Sequence, residues 1–333
     1  IMKKQNLGKK VSKIAVVILL IALCFTMVAC KNDGEITGVV DDFYKSWMSN
    51  IVDEAYLKDI AIVGTHDSGT VGTSALFETQ GSDLYSQLNY GARYFDLRVK
   101  EDGGALKIYH GDTDGFGEAN MLFEKALADI TKFIAENPSE FLILDFQHIH
   151  TNVGAKIIGM LTEKISVDKM LDKTTFPKLK DVKMEDIRKA SKNYVVIWRV
   201  EETCASEDYL YYRGSELLSP YKSAVHSGSD EGLIKHYPNY YNEFNEDKLF
   251  VLQAQKTGKA EAPLKIETSY RPKINAYVRT LADSEYLDKI NIIMRDYLTA
   301  DIENVSSILS LNIAKKLVKP EAIETFRAHT VKM

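Results

Sequence analysis

Short apolar segments alternate with longer amphipathic segments along most of the chain, and this alternation limits the fold more than any other feature. The amphipathic segments repeat apolar residues at helical spacing, at 39–51, 84–90, 119–136, 153–165, 184–190, 274–286 and 305–317. The short segments have strand length and cover 60–63, 92–99, 106–109, 141–147, 194–198, 249–252 and 290–294, with 264–267 as a weaker eighth candidate. Strands that alternate with helices form parallel βα units. The pattern therefore predicts an α/β fold, a single, distorted (β/α)8 barrel of the TIM type.

A doubly wound parallel sheet is the alternative fold for the same alternation. That fold usually has a glycine-rich phosphate loop after its first strand, and the turn GTHDSG at 64–69 lacks the required glycine spacing. The segment 201–248 is long and irregular, which predicts an extended loop over one mouth of the barrel. Its aromatic residues could pack within the loop or contact lipid headgroups at the rim; they are Tyr209, Tyr211, Tyr212, Tyr237, Tyr240 and Tyr241.

The first thirty residues differ in composition from the rest of the chain. Lysines precede the uncharged run 14–29, which is short for a membrane span and suits a signal peptide. The run leads into MVAC at 27–30, which resembles the lipobox of bacterial lipoproteins. We therefore predict a signal peptide at 1–29, lipidation of Cys30, a tether at 30–38 and a catalytic barrel at 39–333. An uncleaved anchor, or an ordinary signal peptide with a chance cysteine, is the alternative.

These features predict an exported protein, which is held at the outer face of the bacterial cell membrane by a lipid anchor or is secreted. The formal net charge is −5 and no basic tract follows the leader, so nucleic acid is not an expected partner. We expect a monomer.

Polar residues lie at the predicted carboxyl ends of several strands, where barrels of this type form their sites. His66 follows the first strand, Asp96 and Arg98 lie near the end of the second, His110 ends the third, and Asp296 ends the last. The first and last strands of a closed barrel are neighbours, so we expect His66 and Asp296 to meet across the seam.

Two histidines, carboxylates and an arginine around one mouth suit phosphoryl transfer with acid–base help. One histidine can remove a proton from a hydroxyl while the other protonates the leaving oxygen. A carboxylate can orient the first histidine and stabilise its charged form. The planar donors of an arginine match the oxygens of a phosphate.

Several motifs in order resemble the X-domain family of bacterial phosphatidylinositol-specific phospholipase C. They are GTHDSGT at 64–70, GARYFDLR at 91–98, the His110-Gly111 pair, NPSE at 137–140 and NIIMRDYL at 291–298. The likeness is clear over the first half, thinner after residue 150, and returns at the last motif.

The resemblance implies a phosphodiesterase that cleaves phosphatidylinositol into diacylglycerol and inositol 1,2-cyclic phosphate. His66 would be the general base that deprotonates the inositol 2-hydroxyl, and Asp296 would orient and charge-stabilise it. His110 would be the general acid for the diacylglycerol leaving group, assisted by Asp67. A membrane phospholipid would be the substrate.

The resemblance implies that Arg98 would bind the phosphate, and that Asp96 would support Arg98 and His66. The same two residues bear on whether the site holds a metal. Calcium-dependent relatives place a Glu-x-Asp pair on the second strand, whereas this chain has Asp96-x-Arg98. A guanidinium there would repel a metal ion, so we expect no metal and no cofactor. His148 and His150 are two residues apart, and would form a metal pair only if both lie on the strand.

The headgroup site departs from the family pattern. Arg199 matches an inositol-binding arginine, whereas Gln147 stands where the family has a lysine. Ala254 and Lys256 stand where it has an aspartate and a ring-stacking tyrosine, which Tyr240 or Tyr241 could replace. We take Arg199, Gln147 and Lys256 as substrate-binding candidates. Phosphatidylinositol is the expected substrate; glycosylated inositol lipids and other phosphodiesters stay open.

Two other functions fit parts of the sequence. A metal-dependent glycerophosphodiester phosphodiesterase also has a histidine after its first strand, but Asp96-x-Arg98 lacks its Glu-x-Asp pair. A lipoprotein that binds inositol or sugar without turnover would explain the altered headgroup site. The Ser68 hydroxyl lies in no nucleophile-elbow pattern, and we expect it to satisfy the turn instead.

Overall fold

The computed structural model describes residues 40–111, 117–150, 152–199, 210–258 and 261–330, which belong to one compact unit. The predicted signal peptide, the predicted lipidation site at Cys30 and the predicted tether lie outside the described residues. Within the described part, no helix combines the length and the apolar character needed to cross a membrane.

Eight parallel strands form a nearly closed barrel, in the order β7-β6-β5-β2-β1-β10-β9-β8. These strands are β1 Ile62–Thr65, β2 Tyr94–Asp102, β5 Leu142–His150, β6 Tyr194–Trp198, β7 Tyr212–Arg213, β8 Leu217–Leu218, β9 Leu249–Gln253 and β10 Ile292–Arg295. Only Gly214–Glu216 separates the edge strands β7 and β8 in the chain. So short a connection keeps the two edges within about 15 Å. The predicted barrel is confirmed, with its distortion at this gap.

The third predicted strand is not part of the barrel wall. β3 Ala105–Gly111 and β4 Gly117–Leu122 form an antiparallel extension of β2. Gly103 and Gly104 both have positive φ and make the two-residue turn between β2 and β3. Residues 119–122 thus belong to β4 rather than to the start of the predicted helix.

Helices surround the barrel. They are α1 Asp42–Lys45, α2 Leu84–Asn89, α3 Phe123–Glu136, α4 Gly154–Lys164, α5 Met184–Lys189, α6 Ser223–His226, α7 Asp230–Tyr241, α8 Pro263–Thr280, α9 Glu303–Leu309, α10 Leu311–Ala314 and α11 Ile323–Thr330. The strand predicted at 264–267 is wrong, because Pro263 starts α8 there. The helix predicted at 274–286 likewise begins eleven residues earlier and ends at Thr280.

The prediction of an extended loop at 201–248 is wrong for residues 210–248, which contain β7, β8, α6 and α7. Residues 201–209, with Tyr209, lie outside the described residues. The other five tyrosines of the predicted rim are buried in the core, which confirms packing and excludes contact with headgroups; they are Tyr211, Tyr212, Tyr237, Tyr240 and Tyr241.

Candidate active site

The turn after β1 carries His66 and Asp67 and is held by backbone bonds to both neighbouring strands. The His66 N–H donates to Arg295 O (3.0 Å), and the Ser68 N–H donates to Asp96 O (3.0 Å). The Ser68 hydroxyl donates to Thr65 O at 3.0 Å, so its predicted role within the turn is confirmed. Asp67 adopts φ 43°, a left-handed conformation that is uncommon for a residue with a side chain.

His66 and Asp296 meet across the seam between β1 and β10, as the sequence predicts. The register pairs Thr65 with Arg295, so the next residue of each strand faces the other. His66 Nδ1 lies 2.8 Å from Asp296 Oδ1, and both side chains are buried. Because a carboxylate only accepts, Nδ1 is the donor, and Nε2 is the ring nitrogen left for other chemistry.

Asp67 lies at the centre of the site and contacts both histidines. Its Oδ2 is 3.2 Å from His66 Nε2 and 3.4 Å from His110 Nε2, and its Oδ1 is 2.6 Å from Arg98 Nε. The prediction assigned Asp67 to His110 alone. Although burial raises the pKa of Asp67, the Arg98 guanidinium and the two histidines outweigh burial and hold it below its usual value.

His110 reaches the site because β3 runs back along β2 toward the barrel mouth. A Cβ at Gly69 would lie 2.6 Å from Ile108, so the turn after β1 can pack against this hairpin only with glycine there. His110 Nδ1 donates to Phe77 O at 2.8 Å, and Nε2 faces Asp67. Each ring nitrogen thus faces an acceptor oxygen, an arrangement that suits a general acid.

Arg98 connects the acidic groups to the cavity. Its Nη2 lies 3.5 Å from both Asp96 Oδ2 and His66 Nε2, and its Nη1 donates to Gly111 O at 3.1 Å. Burial lowers the pKa of Arg98, but the carboxylates of Asp67 and Asp96 outweigh this and raise it, so the guanidinium stays charged. Burial, together with Asp67, raises the pKa of Asp96.

The surroundings of His66 favour its protonated form. Burial lowers its pKa, but the charges of Asp67 and Asp296 outweigh burial and raise the pKa to about 9. As a general base, His66 would act through the minor neutral form, in which Nδ1 keeps its proton for Asp296 and Nε2 is free to accept one.

A cavity of about 590 Å³ opens in front of these groups. It is lined by His66, Arg98, His110, Gly111, Gln147, His148, Arg199, Ser219, Tyr221, Gln253 and Thr257. The structure therefore brings Arg199 and Gln147 to the same cavity as the two histidines. Arg199 Nε donates to Asp145 Oδ1 at 2.9 Å, and this carboxylate raises the pKa of Arg199 despite its burial.

The structure does not bring Lys256 or the proposed replacement tyrosines to the cavity. Lys256 Nζ donates to Asp230 Oδ1 at 2.6 Å and is not among the lining residues. Tyr240 and Tyr241 are buried in α7. A substrate-binding role for Lys256 has no geometric support, because its ammonium group is paired with Asp230 and does not line the cavity.

Sequence reasoning missed several lining residues. His148 lies on β5 opposite Arg98, and burial together with the Arg98 charge lowers its pKa to about 4. The Tyr221 ring is 43% exposed and packs on the His226 ring at 4.5 Å between centroids. Gln253 donates to the Ser219 hydroxyl at 2.8 Å. Gln253 at the end of an apolar strand, with Gln255 two residues later, was the signal available for this wall.

One group of described residues has the composition of a metal site. Ligand atoms of His66, Asp67 and Asp96 lie within 4.8 Å of one another. The Arg98 guanidinium contacts the same three side chains. A divalent cation among them would stand against a fixed positive charge, so these residues do not fit a metal ion well. His148 and His150 both lie on β5 but belong to no group of three such ligands in the described part.

Together, fold and site define an α/β-barrel protein with acid–base histidines and a charged arginine at the carboxyl ends of its strands. The family model PI-PLC X 1 matches residues 51–189, the part of the chain that carries His66, Asp67, Arg98 and His110. The resemblance carried by the motifs is confirmed.

Named relatives agree with this. A 1-phosphatidylinositol phosphodiesterase of Listeria monocytogenes is 36% identical over 107 residues, which cover 30% of this chain and 32% of the relative. One from Staphylococcus aureus strain Newman is 28% identical over 109 residues, or 31% of this chain and 34% of the relative. The aligned segment thus spans about a third of these curated relatives.

Solved structures match over a longer part of the chain. The phosphatidylinositol-specific phospholipase C from Listeria monocytogenes has a TM-score of 0.65 at 22% identity, covering 81% of this chain and 98% of that one. The F249X mutant of the Staphylococcus aureus enzyme has a TM-score of 0.63 at 15% identity, with 82% and 99% covered. At these identities the likeness establishes the barrel fold.

Proposed function

We propose that this protein is a phosphatidylinositol-specific phospholipase C, which cleaves phosphatidylinositol to diacylglycerol and inositol 1,2-cyclic phosphate. The observation that carries the proposal is the contact of buried Asp67 with His66, His110 and Arg98, which together line one open cavity. All four groups lie within residues 51–189, which match the PI-PLC X 1 model, and relatives that align with this chain are named 1-phosphatidylinositol phosphodiesterase.

The site geometry supports a reaction in which the two histidines act as base and acid. Neutral His66 accepts the proton of the inositol 2-hydroxyl at Nε2, and the oxygen attacks phosphorus. The bond from phosphorus to the glycerol oxygen breaks, and His110 Nε2 protonates that oxygen. Asp296 stabilises the imidazolium that forms on His66, and Arg98 neutralises charge on the phosphate oxygens.

We further propose that the reaction needs no metal ion. The positive charge that a metal would supply to the phosphate is supplied here by Arg98, which already contacts Asp67, Asp96 and His66. The position of Arg98 disfavours the alternative of a glycerophosphodiester phosphodiesterase, because that class of enzyme depends on a metal ion. Activity that disappears in EDTA and returns with calcium would contradict this proposal.

Access to a membrane lipid is supported by apolar residues beside the site. Leu76 is 58% exposed in the segment after β1, and Leu264 is 46% exposed in the segment after β9. Both segments leave the carboxyl ends of their strands, which is the end that carries the cavity. Exposed apolar side chains there suit an enzyme whose substrate lies in a lipid surface.

We propose export and attachment at Cys30, supported by the sequence pattern of residues 1–30. Metabolic labelling with a radioactive fatty acid should mark the full chain and not its Cys30→Ser variant. Label on the variant would contradict the attachment site. A monomer is proposed as well, and size-exclusion chromatography with light scattering of residues 31–333 should give a mass for one chain.

Phosphorus NMR tests the activity. Residues 31–333 are incubated with phosphatidylinositol vesicles in EDTA, and the signal of the five-membered cyclic phosphate is followed. His66→Ala and His110→Ala should each lower kcat about 10²- to 10⁴-fold. Full activity in either variant would contradict the mechanism. Binding of inositol lipids without any cyclic product would favour the non-catalytic alternative.

A further inference from the structure

A buried glutamine joins the turns that carry His66 and Asp296. Gln80 has no exposed surface. Its Nε2 donates to His66 O at 3.1 Å and to Arg295 O at 2.9 Å, and its Oε1 accepts from the Leu298 N–H at 3.1 Å. One side-chain amide therefore bonds the backbone on both sides of the β1–β10 seam, and each of its polar atoms has a partner.

The neighbouring residue strengthens this connection. The Thr79 hydroxyl lies 3.2 Å from both His66 O and Asp67 O, and Thr79 O accepts from the Tyr297 N–H at 2.7 Å. Residues 79 and 80 thus touch the turn after β1 and the turn after β10 through both side chains and backbone.

Both turns need such support because each has a non-glycine residue in the left-handed region. Asp67, directly after His66, has φ 43°, and Tyr297, directly after Asp296, has φ 42°. This conformation is unfavourable for residues with a side chain and persists only where surrounding contacts enforce it. Regular pairing of β1 with β10 ends at Thr65 and Arg295, one residue before the catalytic pair.

Each turn also has support of its own. The Ser68 N–H donates to Asp96 O at 3.0 Å and Gln87 Nε2 donates to Ser68 O at 2.7 Å, which holds the His66 turn on its β2 side. Asn304, on α9, donates to Tyr297 O and Leu298 O at 3.2 Å, which holds the Asp296 turn from outside the barrel. Three connections join the His66 turn to the Asp296 turn: the bond from the His66 N–H to Arg295 O, and the contacts made by Thr79 and by Gln80. Loss of the Gln80 amide would therefore remove two of the bonds that set the distance between two turns that are each held separately.

We infer that Gln80 is a positioning residue that sets the contact between His66 and Asp296, and through it the orientation of the general base. This inference rests on the proposed function, and it adds a residue outside the acid–base set. Gln80 acts through backbone carbonyls and does not line the cavity.

The pKa of the His66 ring depends on its contact with Asp296, so it can be used to measure that contact. The charged or titratable groups around the ring are Asp296, Asp67, Arg98, Asp96 and His110. A longer distance to Asp296 weakens the interaction that favours the imidazolium. The proton affinity of His66 should therefore fall if Gln80 is removed, while the other neighbours keep their charges.

Gln80→Met tests the inference, because methionine keeps much of the volume and removes the amide. We expect kcat to fall about 10- to 100-fold, as a misplaced catalytic group costs in general, with KM within about threefold of wild type. In a carbon–proton NMR titration of the histidine rings, the pKa of His66 should fall by about 1, which corresponds to a tenfold weaker proton affinity.

Asn312→Leu is the matched control. Asn312 is also a buried amide that bonds backbone beside β1, through Ala61 N and Ala61 O at 2.9 and 3.0 Å, but at the opposite end of the strand. The Asn312→Leu substitution should lower the thermal stability, while kcat and the pKa of His66 stay near their wild-type values. If Gln80→Met keeps the wild-type kcat and pKa, or if Asn312→Leu changes both to the same extent, the inference is wrong.

Gln80→Glu provides a second variant if Gln80→Met does not fold. An ionised glutamate has no donor for the two carbonyls, whereas its protonated form has one. In the NMR titration of this variant, the ring signals of His66 should move toward their wild-type imidazolium positions as the glutamate is protonated in acid. The absence of this second step would contradict the inference. The NMR titration needs no substrate, so it tests the role of Gln80 independently of activity. If the wild-type protein forms no cyclic phosphate, that result overturns the proposed function and leaves the titration as the test of Gln80.

Discussion

His66 and Asp296 are 230 residues apart in the chain, yet Nδ1 of the histidine lies 2.8 Å from Oδ1 of the aspartate. The parallel pairing of β1 with β10 creates this contact. It fixes the tautomer of His66, because the proton on Nδ1 is held by the carboxylate and Nε2 is left to take the substrate proton.

Asp296→Asn should remove the charge while keeping the size of the side chain. We expect kcat to fall about 10²- to 10⁴-fold, because the imidazolium formed during attack is no longer stabilised and the ring can take the wrong tautomer. The pKa of His66, about 9 in the wild type, should fall as well. Steady-state kinetics and an NMR titration measure the two effects. Asp288→Asn, at an exposed carboxylate, is the control, and an equal loss there would contradict the role of Asp296.

Arg98→Lys should show that shape as well as charge matters at the phosphate site. The guanidinium contacts Asp67, Asp96 and Gly111 O at once, which a single ammonium group cannot reproduce. We expect kcat to fall about 10²-fold or more, measured with EDTA present. Arg188→Lys serves as control, since Arg188 bonds Met48 O and Ile51 O and is not among the cavity-lining residues. Similar kinetics for the two variants would contradict this role of Arg98.

The contact of His66 with Asp296 could be predicted from sequence because a closed barrel makes its first and last strands neighbours. His110 was correctly expected at the site, but on the wrong assumption that it ends a third strand of the barrel wall. The segment 106–109 has strand length, but length alone does not distinguish a barrel strand from a hairpin strand. The Gly103-Gly104 pair was the missing signal, because two glycines between strands favour a tight hairpin turn.

The far wall of the cavity could not be predicted, because it is built from residues 219–257, where the likeness to the family is thin. Ser219 and Tyr221 lie between short elements that have no clear periodicity. The start of α7 did carry a local signal, since the Ser229 hydroxyl caps it and Asp230 follows. Lys256 was chosen by its distance along the chain, and such counting fails once loop lengths differ from the family pattern.

Tyr221→Ala should weaken binding of the headgroup. The ring forms part of the cavity wall and packs on His226 rather than on the catalytic histidines. We expect KM to rise about 2- to 10-fold with little change in kcat, the range expected for loss of one aromatic contact. Hydrolysis of soluble inositol 1,2-cyclic phosphate measures this without membrane binding. Tyr56→Ala removes a similarly exposed ring before β1 and should leave KM unchanged. An unchanged KM for Tyr221→Ala would contradict this role.

His226 should make the fold less stable in acid. The side chain is fully buried, its Nδ1 donates to Gln255 O at 2.8 Å, and burial lowers its pKa to about 4. The unfolded chain has a histidine pKa of about 6.5, so it binds more protons than the folded chain between pH 6.5 and 4. The stability that neutral His226 provides is therefore complete above about pH 6.5 and is lost as the pH falls to 4, by about 3 kcal/mol.

His226→Phe isolates this contribution, because phenylalanine can keep the packing against Tyr221 and cannot bind a proton. Urea unfolding between pH 8 and 4.5 should give a constant difference in the free energy of unfolding between wild type and variant above pH 7. Below pH 6.5 the wild type should lose stability faster than the variant, although both should still lose some, since burial and Arg98 lower the pKa of His148 to about 4 as well. Parallel pH curves for the two proteins would show that His226 is not the group that titrates.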